Sequence, residues 1–219
     1  MFGVGTTSRN SSALRDMSRI ATLVAIDQYS SFPLHGCVAD ATALYALLDK
    51  NDGGSANFNC HMLTDGQVTR ASLRTALQQT FTQRDLEFAL FYFAGHGIVR
   101  GSNPDFEGVV KTVDGIPGDE GVLMQEILSW ANASPATERI IVLDCCHAGA
   151  VDQVLATRAP VPIARGVSIL AATRSDQQAV ENGGRGLFSS HICAALDGGA
   201  ADVRGFVTAA NTYAYVDKS

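Results

Sequence analysis

The sequence predicts an α/β fold in three layers, with a mostly parallel central sheet of about six strands and helices on both faces. Apolar runs of strand length, such as residues 20–26 and 86–93, are typical of strands buried on both faces of a parallel sheet. Segments with apolar residues at helical spacing separate these runs, so strands and helices alternate along the chain.

The first half of the chain supplies two strand–helix units and a further strand. Residues 20–26 form the first apolar run, and residues 39–48 then carry alanines and leucines at helical spacing. A glycine-rich loop separates this helix from a short strand at 59–63. We expect Thr69 to cap the next helix, because a threonine hydroxyl accepts a hydrogen bond from a free N–H of the first turn. The second long buried strand follows at 86–93.

The second half begins with a glycine- and aspartate-rich region around a strand-like piece at 108–113, which we interpret as a surface hairpin. Helical spacing then predicts a helix at 122–131, and two further apolar runs predict buried strands at 140–143 and 167–172. Two last helices are predicted at 187–196 and at 206–216, with Thr208 as the cap of the final one. The sequence reaches Ser219 without a helix-capping signal, so we expect a catalytic segment cut from a longer protein.

Composition favours one cytoplasmic domain. Of the 219 residues, 46% are hydrophobic and 17% charged, so we assign residues 19–219 to a single domain and 1–18 to a flexible N-terminal segment. The net charge of −6 without a Lys/Arg cluster argues against nucleic acid as a partner.

The sequence also predicts neither a membrane span nor a signal peptide. It contains no apolar run of about 18 residues, and its polar N-terminus lacks an apolar core. Five cysteines, an odd number with two adjacent, suit a reducing compartment better than a disulfide framework.

Two of the predicted strands end at reactive side chains flanked by glycine. One is followed by Gly95-His96-Gly97, and the other by Asp144-Cys145-Cys146-His147-Ala148-Gly149. Because the carboxyl ends of parallel strands share one edge of a sheet, the imidazole and a thiolate can meet there as general base and nucleophile. If the second strand continues through its motif, Asp144 and Cys146 lie on one face and Cys145 on the other, towards the packed layer.

These motifs resemble those of the caspase-like cysteine peptidases, in particular the metacaspases and bacterial caspase homologues. In caspases the catalytic His lies roughly 50 residues before the Cys, as it does here. The resemblance extends from residue 20 to the C-terminus, and it rests on blocks at 20–27, 34–41, 93–97, 144–149 and 171–177. It implies a caspase-like three-layer sandwich that acts as a cysteine endopeptidase.

The resemblance also implies the catalytic roles. Cys146 takes the nucleophile position, His96 is its general base, and the backbone N–H groups of Gly97 and Cys146 form the oxyanion hole. No third catalytic side chain is evident in the sequence. We therefore expect a dyad, with the imidazole oriented by a backbone carbonyl near Leu34 or His35.

The carboxylate of Asp144 opposes formation of a neighbouring thiolate, so it needs another purpose. In metacaspases this Asp and the one at position 40 line a pocket for an Arg or Lys side chain before the scissile bond, so the resemblance implies that Asp40 and Asp144 select a basic residue. Cys37 and Ser175 are further candidates for lining the cleft. Burial at a helix start explains Cys37 equally well, and a polar loop explains Ser175 equally well.

Regulation is predicted only from the resemblance. Arg158 and Arg165 stand where such proteases often carry a self-cleavage loop, as expected for a zymogen. Many metacaspases need calcium, for which the acidic candidates are Asp114, Asp119, Glu120 and Asp152, although solvated acidic loops explain these residues more simply. Bacterial relatives often act in antiviral defence or regulated cell death, beside a sensor or regulatory partner.

Three other interpretations are weaker. A catalytically silent caspase-like interaction module would keep the fold and lose the chemistry. A flavodoxin-like binding domain lacks support, because no G-x-G-x-x-G loop follows the first strand. A zinc site from Cys37, Cys145, Cys146 and His147 lacks a C-x-x-C pair, so no metal is assigned.

Overall fold

The computed structural model describes residues 18–101, 106–145, 162–172, 181–182 and 185–218. In chain order its elements are β1 (Arg19–Ala25), α1 (Cys37–Asp49), β2 (Asn59–Thr64), a 3₁₀ turn (Asp65–Gln67), α2 (Arg70–Phe81), β3 (Phe88–Gly95), β4 (Gly97–Arg100), β5 (Glu107–Ile116), β6 (Asp119–Leu123), α3 (Met124–Ala133), β7 (Glu138–Cys145), β8 (Val167–Ala171), β9 (Glu181–Asn182), β10 (Arg185–Gly186), α4 (Leu187–Ala194), a π-type turn (Ala195–Gly199) and α5 (Ala209–Val216).

The central sheet has the order β2-β1-β3-β7-β8, and every pair in it is parallel. The predicted α/β class is confirmed, with five strands in this sheet among the described residues rather than about six. The surface hairpin predicted around residues 108–113 is instead part of a separate antiparallel sheet, β4-β5-β6, in which Val109 and Val110 are buried. In the part of the chain that the structure describes, no helix is long and apolar enough to cross a membrane.

Alternate residues of the central strands face two different helical layers. In β3, Phe91 and Phe93 join the apolar cluster that contains α2 and α3, whereas Leu90 and Tyr92 join the cluster that contains α1 and α4. This follows from the two-residue period of a strand, and it explains why the strands are apolar throughout. The described helices therefore cover both faces of the sheet, as predicted.

The helix boundaries confirm the predicted caps and correct the starts of two helices. The helix expected at 206–216 begins at Ala209, directly after its Thr208 cap. Thr69 accepts a hydrogen bond from the backbone N–H of Ser72, and Thr208 accepts one from that of Asn211. The helix expected at 122–131 instead begins at Met124, because the two preceding residues pair with β5 as part of β6. Local apolar spacing does not distinguish these two residues from a first helical turn.

The strand order reverses direction between β1 and β3. From β1 the chain moves outward to β2, and it then returns past β1 to form β3 on the other side. Ligand sites of open parallel sheets lie at such a reversal, outside the carboxyl ends of the strands. The loop after β1, the residue after β3 and the end of β7 all lie at this edge.

Candidate active site

His96 follows the last residue of β3, and its backbone is fixed on both sides. Its N–H donates to the hydroxyl oxygen of Tyr29 at 3.0 Å, and this hydroxyl donates to the Lys111 carbonyl at 3.3 Å. The N–H of Lys111 donates in turn to the His96 carbonyl at 2.9 Å. A Cβ on Gly95 would lie 2.5 Å from the Tyr29 hydroxyl, so glycine is required at this strand end.

The imidazole of His96 is held by two contacts. Its ring centroid lies 4.5 Å from that of the buried Tyr29 ring, at an angle of 46°. Its Nε2 lies 2.6 Å from the Phe32 carbonyl oxygen. Because a carbonyl only accepts, Nε2 carries a proton, and in the neutral ring Nδ1 is then the basic nitrogen.

The expected carbonyl near Leu34 or His35 is therefore that of Phe32. Phe32 has a φ of +58°, in the left-handed region that residues other than glycine rarely adopt. Its side chain is 82% exposed, so the described contact with His96 is made by the backbone. Strained backbone of this kind is concentrated at functional sites.

Asp27 fixes the loop that carries this carbonyl. Its carboxylate accepts the backbone N–H groups of Cys37 at 2.9 Å and Val38 at 3.2 Å, the first free donors of α1. Its carbonyl accepts the N–H of Leu34 at 2.8 Å, so one residue holds the loop at two points. The sequence prediction missed both Asp27 and Tyr29, although the block at 20–27 contains Asp27.

The register of β3 and β7 brings the two sequence motifs side by side. Gly95 pairs with Cys145, the last described residue of the second motif, and His96 follows Gly95 directly. Cys145 is buried in the cluster with α2 and α3, as expected for the residue before the nucleophile position. The predicted residues Cys146, Ser175 and Arg158 lie outside the described residues.

Gly97, the other predicted oxyanion-hole residue, is the first residue of β4. It lies opposite Val110 in the antiparallel pairing with β5. The chain therefore leaves the central sheet immediately after His96. This change of direction places the backbone of Gly97 next to the carboxyl end of β3.

Asp40 lies in the first turn of α1, and its carboxylate is occupied by the chain itself. Its Oδ1 accepts from Arg185 Nε at 2.8 Å, and its Oδ2 accepts from the N–H of Gly186 at 2.7 Å. The residue is only 2% exposed. Burial raises the pKa of this carboxyl group, and the two hydrogen bonds oppose that rise.

Asp144 is half-buried on the face of β7 opposite Cys145. Its Oδ2 accepts from the hydroxyl of Ser189, which is itself paired with the Tyr92 hydroxyl at 2.7 Å. Burial is the main cause that raises the pKa of Asp144, the Ser189 hydrogen bond opposes it, and the charge of Asp40 adds to the rise.

Gly186 joins the two acidic residues. A Cβ built on Gly186 would lie 3.0 Å from Asp40 Oδ2 and 3.1 Å from Asp144 Oδ2. The structure thus brings these two predicted pocket residues together around one glycine. Arg185 and Gly186 were not predicted, because neither belongs to a motif recognised in the sequence.

The described cysteines other than Cys145 lack the features of a nucleophile. Cys37 begins α1, and burial together with the carboxylate of Asp27 raises the pKa of its thiol. Burial also raises the pKa of Cys193, and it raises the pKa of Cys60 to about 12. These thiols stay protonated at neutral pH.

The candidate calcium ligands that the structure describes are paired with arginine. Asp114 and Asp119 both pair with Arg70, and Glu120 pairs with Arg100. Among the described residues no group of three or more His, Cys, Asp or Glu side chains could hold a metal ion. The remaining candidate, Asp152, lies outside the described ranges.

A model of the peptidase family described as the caspase domain matches residues 18–215. The chain belongs to the caspase-domain family. This family is one of cysteine-type peptidases. Its fold is also similar to the crystal structure of protein GSU0716 from Geobacter sulfurreducens, with a TM-score of 0.64 over 92% of this chain and 88% of that one. The two sequences are 14% identical, so this likeness concerns the fold alone. No curated protein matches the sequence.

Proposed function

We propose that this caspase domain is a cysteine endopeptidase that cleaves proteins after Arg or Lys, with Cys146 as nucleophile and His96 as general base. The main support is the imidazole of His96, which is hydrogen-bonded through Nε2 to the Phe32 carbonyl at the carboxyl edge of the sheet. This bond leaves Nδ1 as the basic nitrogen. His96 directly follows Gly95, and Gly95 pairs with Cys145, the residue before the proposed nucleophile.

The reaction takes two steps. In the first, Nδ1 of His96 accepts the thiol proton of Cys146, the sulfur attacks the carbonyl carbon, and the C–N bond breaks as the imidazolium returns that proton to the leaving amine. The N–H groups of Gly97 and Cys146 stabilise the oxyanion. In the second, His96 removes a proton from water, the hydroxide attacks the thioester, and the sulfur leaves as the free thiol.

The acidic side chains at the same edge support the choice of a basic residue before the scissile bond. Asp40 and Asp144 both approach Gly186 within about 3 Å of the position its Cβ would take. A buried anionic site attracts a guanidinium or ammonium group, and it repels the carboxylate of an aspartate substrate. A preference for Arg or Lys therefore follows from the charge of the site.

Hydrolysis of three fluorogenic peptides that differ only in Arg, Lys or Asp before the reporter tests this function. We expect cleavage of the Arg and Lys peptides, and a loss of at least about 1,000-fold in kcat/KM for both Cys146→Ala and His96→Ala. Faster cleavage of the Asp peptide would overturn the assigned specificity.

The silent interaction module is tested by labelling. An Arg-chloromethylketone followed by peptide mapping should modify Cys146 far faster than Cys60, whose thiol has a raised pKa. Equal labelling of the two cysteines, together with no peptide cleavage, would favour the silent module.

A further inference from the structure

We propose that Arg185 is a specificity-determining residue that pairs with Asp40 and leaves Asp144 as the carboxylate that recognises the basic side chain of the substrate. This inference rests on the proposed function, and it divides the work between the two acidic residues. Asp40 becomes an internal anchor for β10. Asp144 becomes the acceptor that faces the cleft.

The bonding of Asp40 supports its role as an anchor. Both of its oxygens accept hydrogen bonds from the dipeptide Arg185-Gly186, one from a side chain and one from the backbone. Since Asp40 is 2% exposed, a substrate would have to displace this dipeptide to reach it. A buried carboxylate with two charge-assisted or backbone donors already has most of its acceptor capacity filled.

Asp144 differs from Asp40 in the donors that its carboxylate binds. Its hydrogen-bond donors among the described residues both belong to one uncharged residue, as the hydroxyl and the backbone N–H of Ser189. The Tyr92 hydroxyl fixes Ser189 from the other side, which orients the carboxylate of Asp144. Unlike Asp40, Asp144 has no cationic partner among the described residues, so its remaining lone pairs can accept from an incoming guanidinium or ammonium group.

The charges at Gly186 support the same division. The two carboxylates and the guanidinium of Arg185 leave one net negative charge, which matches one basic side chain. Without Arg185, two carboxylates would flank one glycine with no counter-charge, and like charges this close favour protonation of one of them. Arg185 therefore offsets the charge of Asp40, so that the substrate meets one net negative charge rather than two.

A double-variant experiment tests the proposal on the whole chain with a fluorogenic peptide that carries Arg before the reporter. Asp144→Asn should lower kcat/KM at least 100-fold. Asp40→Asn should raise KM at least tenfold with a smaller change in kcat, because the freed guanidinium of Arg185 then competes for Asp144. Adding Arg185→Gln to Asp40→Asn should recover most of that loss, since the only remaining charge is that of Asp144.

Matched controls separate a charge effect from a folding effect. Arg74 and Glu126 form a more exposed ion pair with the same N–O distance of 2.8 Å between α2 and α3, on the other side of the sheet. Arg74→Gln with Glu126→Gln removes the same two charges and should not alter the ratio of Arg to Asp cleavage. If the polar variants unfold, Asp40→Leu with Arg185→Met replaces the pair by apolar groups of similar size and repeats the test.

The outcomes distinguish this inference from the function on which it rests. Recovery of the KM in the double variant supports the proposal, and a double variant as poor as Asp40→Asn overturns it, because Asp40 would then bind the substrate directly. A wild-type protein that cleaves neither the Arg nor the Lys peptide would instead overturn the proposed function.

Discussion

Replacing Tyr29 by phenylalanine tests how the general base is positioned. The substitution keeps the ring that lies against His96 and removes the hydroxyl that joins the His96 N–H to the Lys111 carbonyl. Tyr29 is 8% exposed, so both groups would lose a partner in a largely buried place. At about 1 kcal/mol for each lost hydrogen bond, we expect the free energy of unfolding to fall by about 2 kcal/mol.

Part of this loss should appear in catalysis. If about 1.4 kcal/mol of it is lost from the alignment of the imidazole, kcat falls about tenfold. KM should change little, because Tyr29 contacts the base and not the acidic residues. Peptide hydrolysis gives kcat and KM, and urea unfolding gives the stability.

Thr80→Val is the matched control for this substitution. It removes a buried hydroxyl that pairs with Thr22 at 2.6 Å between α2 and β1. It should lower stability by a comparable amount while kcat stays within about twofold. If Tyr29→Phe and Thr80→Val lower kcat equally, Tyr29 does not position His96, and the effect is one of stability alone.

Three further predictions follow from single contacts. Asp27→Ala removes two acceptors at the start of α1, so it should lower the free energy of unfolding by about 2 kcal/mol and also lower kcat. Thr69→Ala removes an ordinary helix cap, so it should lower the free energy of unfolding by about 1 kcal/mol and leave kcat unchanged. KM for an Arg peptide should rise as the pH falls through the raised pKa of Asp144, since the neutral acid no longer attracts a cation, and Asp144→Asn should lack this pH dependence. If self-cleavage occurs, Arg158→Ala should prevent it and Arg165→Ala should not, as electrophoresis of the two variants would show; the reverse pattern would contradict the assignment.

The last of these predictions rests on the backbone around Arg165. Its carbonyl accepts from Arg139 Nη2 at 2.8 Å, and the next residue, Gly166, has a φ of +81°. A Cβ at Gly166 would lie 2.6 Å from the Thr137 carbonyl oxygen. Cleavage after Arg165 requires an extended peptide in the cleft, and this tightly packed turn would have to open first.

The sequence allowed the fold class and the position of His96 to be predicted, because both depend on patterns within single elements. An apolar run that stops at Gly95-His96-Gly97 indicates a strand end, and parallel pairing follows from the alternation of strands and helices. Thr69 and Thr208 were identified as caps for the same reason, since a cap lies within three residues of its partner.

The missed contacts join residues that are far apart in the chain. Arg185 contacts Asp40 across 145 positions, and His96 contacts Phe32 across 64. The Phe32 interaction depends on a left-handed backbone at a phenylalanine, which residue preferences disfavour. Contacts of this kind are set by the tertiary fold, so neither periodicity nor motif spacing contains them.

In the proposed mechanism, the residues of catalysis and those of recognition lie on opposite faces of the central sheet. Tyr29, which contacts His96, packs in the cluster with α2 and α3. Asp40 and Asp144 instead meet on the side of α1 and α4, where Arg185 and Ser189 bind them. The two groups of side chains share no hydrogen-bond partner among the described residues. Substitution of Tyr29 should therefore change kcat, and substitution of Asp40 or Asp144 should change KM. The free-energy effects of combined substitutions should be nearly additive. The substrate preference of this caspase domain can therefore change through β10 and α4 while the imidazole keeps its alignment.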